Sequence, residues 1–142
     1  MIKLRDHNII MCFDFGTKKI GVAVGQLITS TATPVSILKA KNGIPDWQKI
    51  RQLINEWQPS LLVIGLPLNM DGSECEMSRL SQKFARKLNG RFNLPVEMMD
   101  ERLTSFEAKE LDKGRGKPVD DIAAKIILES FFMESRLSED KR

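Results

Sequence analysis

Ile9-Ile-Met-Cys-Phe-Asp14-Phe-Gly-Thr-Lys-Lys-Ile20-Gly-Val-Ala-Val-Gly25 is the stretch on which the reading of this chain turns. From Ile9 to Phe13 the apolar residues do not alternate with polar ones, the pattern of a central strand covered on both faces. The strand is expected over Ile9–Asp14. Gly16 allows a sharp turn, and Ile20–Gly25 reads as a second strand returning as a hairpin. Ala32–Leu38 reads as a third, so the chain opens with a three-stranded meander.

Further along, the period changes. Trp47, Ile50, Leu53, Ile54 and Trp57 recur at helical spacing, and Pro59 closes that helix. Leu61–Gly65 is a short buried strand. Ser73-x-x-Glu76 has the form of a capping box and predicts a helix from there to about Arg91. Val96–Met99 is the next strand. Thr104-x-x-Glu107 predicts a short helix, and Pro118 opens a last one running to about Met133. The order β-β-β-α-β-α-β-α-α means an α/β fold, a mixed five-stranded sheet with helices on both faces.

The chain has 142 residues, 42% hydrophobic and 29% charged, with a net charge of +3. That suits one domain over residues 1–142, with its core in 8–135 and frayed ends. The mildly basic balance permits a nucleic-acid partner without demanding one. The N-terminal apolar run is too short and too closely flanked by charge for a signal peptide or a membrane span. Cys12 and Cys75 are expected to be reduced thiols of a cytoplasmic protein. His7, the single histidine, cannot build a zinc site with two separated cysteines, and its polar N-terminal setting argues against a Ser–His–Asp or Cys–His enzyme. Any chemistry falls to carboxylates.

Asp14 ends an apolar strand, where open α/β sheets put their sites, although an aspartate there is also a common turn initiator. Glu101 follows Val96–Met99 in the same way, and its neighbour Asp100 is expected to point elsewhere. Stepping the last helix at about 100° per residue puts Asp120, Ala124, Ile127 and Phe131 on one line, while Asp121, Lys125 and Glu129 take a polar face. Asp120 is thus the inward acid. It could bond backbone at the helix start or share a cation with other acids. Three carboxylates meeting at one sheet edge would suit Mg2+ or Mn2+ and metal-assisted cleavage of a phosphodiester.

Basic residues are grouped. Arg79, Lys83, Arg86, Lys87 and Arg91 share an arc of the predicted second helix, opposite Met77, Leu80, Phe84, Leu88 and Phe92. Lys113, Arg115 and Lys117 form a glycine-spaced patch leading into Asp120. Such stripes are often simply solvated, but here they could steer a polyanion to the acids.

Four motifs together carry a resemblance: Asp14-Phe-Gly-Thr-Lys-Lys-Ile-Gly-Val-Ala-Val24, Gly65-Leu-Pro-Leu-Asn-Met-Asp-Gly72, Asp100-Glu-Arg-Leu-Thr104, and Val119-Asp-Asp-Ile-Ala-Ala124 followed by Ile-Ile-Leu-Glu-Ser-Phe. In this order, over residues 9–132, they are similar to the bacterial YqgF (RuvX) family, whose fold is ribonuclease-H-like. The resemblance implies a cytoplasmic nuclease maturing the 5′ end of precursor 16S rRNA. The family's older label, Holliday-junction resolvase, reflects similarity to the RuvC resolvases. The resemblance also implies that Asp14, Glu101 and Asp120 hold two Mg2+ (or Mn2+) ions, and that Thr17, Lys18, Asn69, Asp71 and Thr104 line the rim. Ser105–Lys117 is shorter than the basic segment often found there in the family.

Three other readings compete. Asp14-Phe-Gly-Thr17 is also similar to the first phosphate loop of actin-like ATPases, but those need two such domains and this length supplies one half. A non-cleaving RNA-binding assembly factor fits the basic stripe equally well. A nuclease for branched DNA keeps the chemistry and changes the substrate. With no surplus apolar helix face, a monomer is expected.

Overall fold

The computed structural model describes residues 9–103 and 122–140. Among these described residues, six strands and three helices follow in the order β1 (Ile10–Asp14), β2 (Lys19–Gln26), β3 (Thr31–Lys41), β4 (Ile44–Pro45), α1 (Trp47–Trp57), β5 (Leu61–Leu66), α2 (Glu76–Phe92), β6 (Val96–Asp100) and α3 (Ala123–Asp140). A 3-10 turn, Glu101–Leu103, follows β6. The strands form one mixed sheet in the order β4-β3-β2-β1-β5-β6.

β1 is central because it can be buried on both faces. It pairs antiparallel with β2 and parallel with β5, and β5 pairs parallel with β6. Met11 and Phe13 face one layer, with Ile20, Val22, Leu62, Ile64, Phe84 and Leu88. Ile10 and Cys12 face the other, with Leu61, Val63, Met99, Ile127, Leu128 and Phe132. Helices α1 and α2 cover the first face and α3 the second. Phe13 is fully buried and meets Phe84 edge-on at 5.7 Å, so Phe13→Ala should cost about 3–5 kcal/mol.

The sheet has one strand more than expected. Asn42 and Gly43 both have positive φ, 54° and 81°, the backbone of a tight two-residue hairpin, and it folds β4 back onto the end of β3. β3 itself is longer than Ala32–Leu38. It tolerates Pro34 because a stretch of edge strand leaves the missing N–H unneeded. At the first turn, a Cβ on Gly16 would lie 2.5 Å from the Lys19 carbonyl oxygen, so the chain reverses only with glycine there.

Helix α1 begins and ends where the sequence indicates. Asp46 accepts from the Gln48 N–H at 3.0 Å, and Gln58 adopts the left-handed conformation ahead of Pro59. Helix α2 starts later than the Ser73-x-x-Glu76 pattern predicts. Ser73 is engaged in the preceding turn, donating to Asp71 Oδ1 at 2.6 Å and accepting from Asn69 Nδ2 at 2.9 Å. The cap is Cys75, whose N–H donates to Ser78 Oγ at 2.9 Å, while Ser78 also donates to the Pro67 carbonyl. Helix α3 runs past Met133 to Asp140; its predicted start at Pro118 and the short helix from Thr104 lie outside the described residues.

Both cysteines are free. Burial pushes the Cys12 thiol well up, with the charges of Asp14 and then Glu101 adding to it. Hydrogen bonds with Ser78 draw the half-buried Cys75 thiol down. Iodoacetamide on the native protein should therefore modify Cys75 and spare Cys12, and both should react after denaturation. Equal native labelling of the two would contradict the buried β1.

Candidate active site

The parallel strands β1, β5 and β6 bring their carboxyl ends to the same edge of the sheet. Asp14 closes β1 on the same face as Ile10 and Cys12, since side chains two apart share a face. Phe13 pairs with Ile64, so Asp14 and Gly65 come next along neighbouring strands. Gly65 pairs in turn with Met99 on β6, and Glu101 lies two residues beyond Met99. Asp14, Gly65 and Glu101 thus follow one another across three strands, on the face that α3 covers.

The glycine in the middle is needed. A Cβ on Gly65 would stand 2.7 Å from Glu101 Oε1, 3.1 Å from Glu101 Cδ and 2.9 Å from Ile127 Cδ1. The Glu101 carboxylate occupies the space a side chain would take. Asp14 and Glu101 are both half-buried, and both act electrostatically on the Cys12 thiol beneath them. Two acids therefore share one neighbourhood.

Asp100 does point elsewhere. It accepts from the Arg102 N–H at 2.9 Å and from the guanidinium, Nη2 lying 2.8 Å from Oδ2. These bonds hold its carboxyl below the usual range. The same guanidinium reaches the Met70 carbonyl at 3.4 Å and lies over Gly72. Arg102 therefore clips the end of β6 to the turn after β5. In that turn Asn69 and Asp71 bond Ser73, and those bonds lower the Asp71 carboxyl. Both are exposed at the rim, but their side chains shape the turn.

Thr17 and Lys18 are exposed on the β1–β2 turn. Their carbonyls accept from Gly43 N–H at 2.9 Å and Ala40 N–H at 2.8 Å, which ties the turn to β3 and its hairpin. Asp120, Thr104, Lys113, Arg115 and Lys117 lie outside the described residues. The helical line on which Asp120 was placed is upheld where α3 is described: Ala124, Ile127 and Phe131 are buried, and Lys125 and Glu129 are not. Arg79, Lys83, Arg86 and Lys87 are exposed, but α2 packs on the layer opposite Asp14 and Glu101, and the Arg91 guanidinium sits 4.3 Å over the Trp47 ring.

Hard carboxylate oxygens from the end of β1 and from just past β6, beside a recess in β5 that a Cβ would fill, suit a small divalent cation. Asp14 and Glu101 could hold it; among the described residues no group of three or more ligating side chains is assembled.

A family model described as RuvX, Holliday junction resolvase, matches residues 8–134. The chain belongs to that family. A relative from Azotobacter vinelandii, named "Putative pre-16S rRNA nuclease", is 51% identical, covering 89% of this chain and 94% of its own. One of the same name from Pseudomonas putida is 52% identical, covering 91% and 97%. Among solved structures, Thermus thermophilus RuvC in complex with a Holliday junction aligns with a TM-score of 0.66 at 12% identity, over 93% of this chain and 97% of RuvC. The yeast mitochondrial Holliday junction resolvase aligns at 0.55 and 12%, over 92% and 80%. At such identities the likeness concerns fold, and it upholds the ribonuclease-H-like α/β reading.

The close approach at position 65 is testable. Gly65→Ala should keep the fold, because both crowded groups are ends of flexible side chains, yet cost about 1–3 kcal/mol by overpacking. Adding Glu101→Asp, one methylene shorter, should recover part of the lost Tm. No recovery would mean that the Glu101 carboxylate does not sit over Gly65.

Proposed function

We propose that this RuvX-family protein is a divalent-metal-dependent nuclease that processes the 5′ end of precursor 16S rRNA in the cytoplasm, acting as a monomer during ribosome assembly. The observation that carries the reading is the pair Asp14, at the end of β1, and Glu101, just past β6, on either side of the Gly65 recess in the intervening β5. The substrate comes from the names of relatives about half identical over most of the chain. No helix among the described residues is long and apolar enough to cross a membrane.

In this reading Asp14, Glu101 and Asp120 would hold Mg2+ or Mn2+. When bound, such an ion neutralises charge on the phosphate and acidifies a coordinated water. The chain's own residues do the rest. Asp14 would fix its oxygens from the end of β1, and Glu101, opening the 3-10 turn after β6, is packed over Gly65 and against Ile127. Cys12, held neutral beneath them, adds no third charge to the pair. Arg102 keeps the Asn69–Ser73 turn against β6, and Thr17 and Lys18 face the approaching strand from the opposite rim.

Cleavage of a labelled precursor-16S leader RNA beside a four-way DNA junction, in Mg2+ and in Mn2+, separates the alternatives. The leader should be cut and EDTA should stop it. Asp14→Asn and Glu101→Gln should each lower the rate at least about a hundred-fold while RNA binding persists. Junction cutting alone would support a DNA resolvase. Tight RNA binding, unchanged in EDTA and without cutting, would support an assembly factor.

A further inference from the structure

A cleft of about 350 Å3 opens directly beside Asp14, lined on the α3 side by Gly21 and Ile37, by the Gly16–Lys18 turn, and, round the end of the sheet, by Phe15 and Met77 of the α2 layer. That volume lies at the lower end of the range for small-ligand sites, about 300–1,000 Å3. Its floor follows from register. Asp14 pairs with Gly21 on β2, and Gly21 pairs with Ile37 on β3. Residues directly opposite in antiparallel strands share a face, so the three form one row on the α3 side of the sheet. The middle residue has no side chain, which leaves a trough from an acid at one end to an aliphatic wall at the other. Two strand spacings make it about 10 Å long. Ile37 is 43% exposed, one of the few large apolar side chains open to solvent among the described residues, and it stands at the trough's end. Lys18 lies at the mouth, on a turn pinned to β3 by backbone bonds.

We propose that this trough is a subsite for one unstacked nucleoside of a single-stranded substrate, with the base against Ile37, the sugar over Gly21 and an adjoining phosphate at Lys18. The inference rests on the nuclease reading above and narrows its substrate class. A base inside a duplex has both faces stacked and its pairing edge used, so it enters a trough one residue wide only where the strand is unpaired. Gly21 and Ile37 offer the base no side-chain hydrogen bond, so the subsite accepts any base and contributes position rather than sequence preference. Continuity with Asp14 sets that position next to the phosphate to be cut.

The experiment measures binding, so it stands apart from turnover. Fluorescence anisotropy would give Kd values of the full-length chain and of Ile37→Ser for a labelled single-stranded RNA, for the same RNA with an abasic position scanned along it, and for the RNA annealed to its complement. Wild type should bind the single strand better than the duplex. Ile37→Ser should weaken single-strand binding about five-fold, the low end for loss of one base contact, and leave duplex binding alone. One abasic position should weaken wild type by a similar factor, and the two losses should not add. Ile37→Leu should behave as wild type, and Lys18→Ala should lower the salt dependence of binding. Additive losses, no loss in Ile37→Ser, or equal losses on single strand and duplex would overturn the subsite while leaving the nuclease reading intact. A chain that shows the coupled losses yet cuts nothing would keep the subsite and remove the nuclease.

Discussion

The site depends on a side chain that is missing. At position 65, on the strand between those bearing the two acids, a Cβ would come within 2.7 Å of Glu101 Oε1 and 2.9 Å of Ile127 Cδ1. Any larger residue on this face would push Glu101 out over the sheet edge or lift α3 from β5. With glycine there, the carboxylate folds back towards Asp14, and α3 still closes down on Val63 and Leu61. The requirement reaches both ways along the chain: β5 stays a buried apolar strand up to the glycine, and the chain turns sharply after β6 to bring Glu101 back.

Holding two carboxylates together costs electrostatic energy, and the surroundings show how the fold bears it. The acids stand at strand ends, half-buried and open to solvent on one side, so neither is fully stripped of water. Apolar layers lock their backbones from below, through Cys12 and Val63 on one face and Phe13 and Ile64 on the other. The remaining nearby acid, Asp100, is neutralised by Arg102 and turned away. The pairing of Asp100 with Arg102 keeps that carboxylate out of the site.

Much of this arrangement was legible in the sequence, for reasons that can be located. The unbroken apolar run before Asp14 could only be a strand covered twice, and β1 is that strand. The helical step that set Ala124, Ile127 and Phe131 on one line needed no tertiary information, and those residues are buried. The cap at Ser73 misled because a hydroxyl three residues before a glutamate has another use: Asn69 and Asp71 capture it first. Asn42-Gly43 was a readable hairpin signal for β4 that the strand pattern alone passed over. The function of Gly65, the trough between Asp14 and Ile37, and the layer on which the basic stripe of α2 lies all depend on cross-strand register or helix placement, which no local pattern encodes.

Crystals of the full-length chain grown with Mn2+, measured for anomalous scattering at the manganese edge, would locate a bound cation. A peak coordinated by the carboxylates of Asp14 and Glu101 is expected on the α3 face of the sheet, lost in Asp14→Asn crystals that keep the fold. Ordered Asp14 and Glu101 side chains with no manganese between them, at a concentration where other sites on the protein fill, would contradict it.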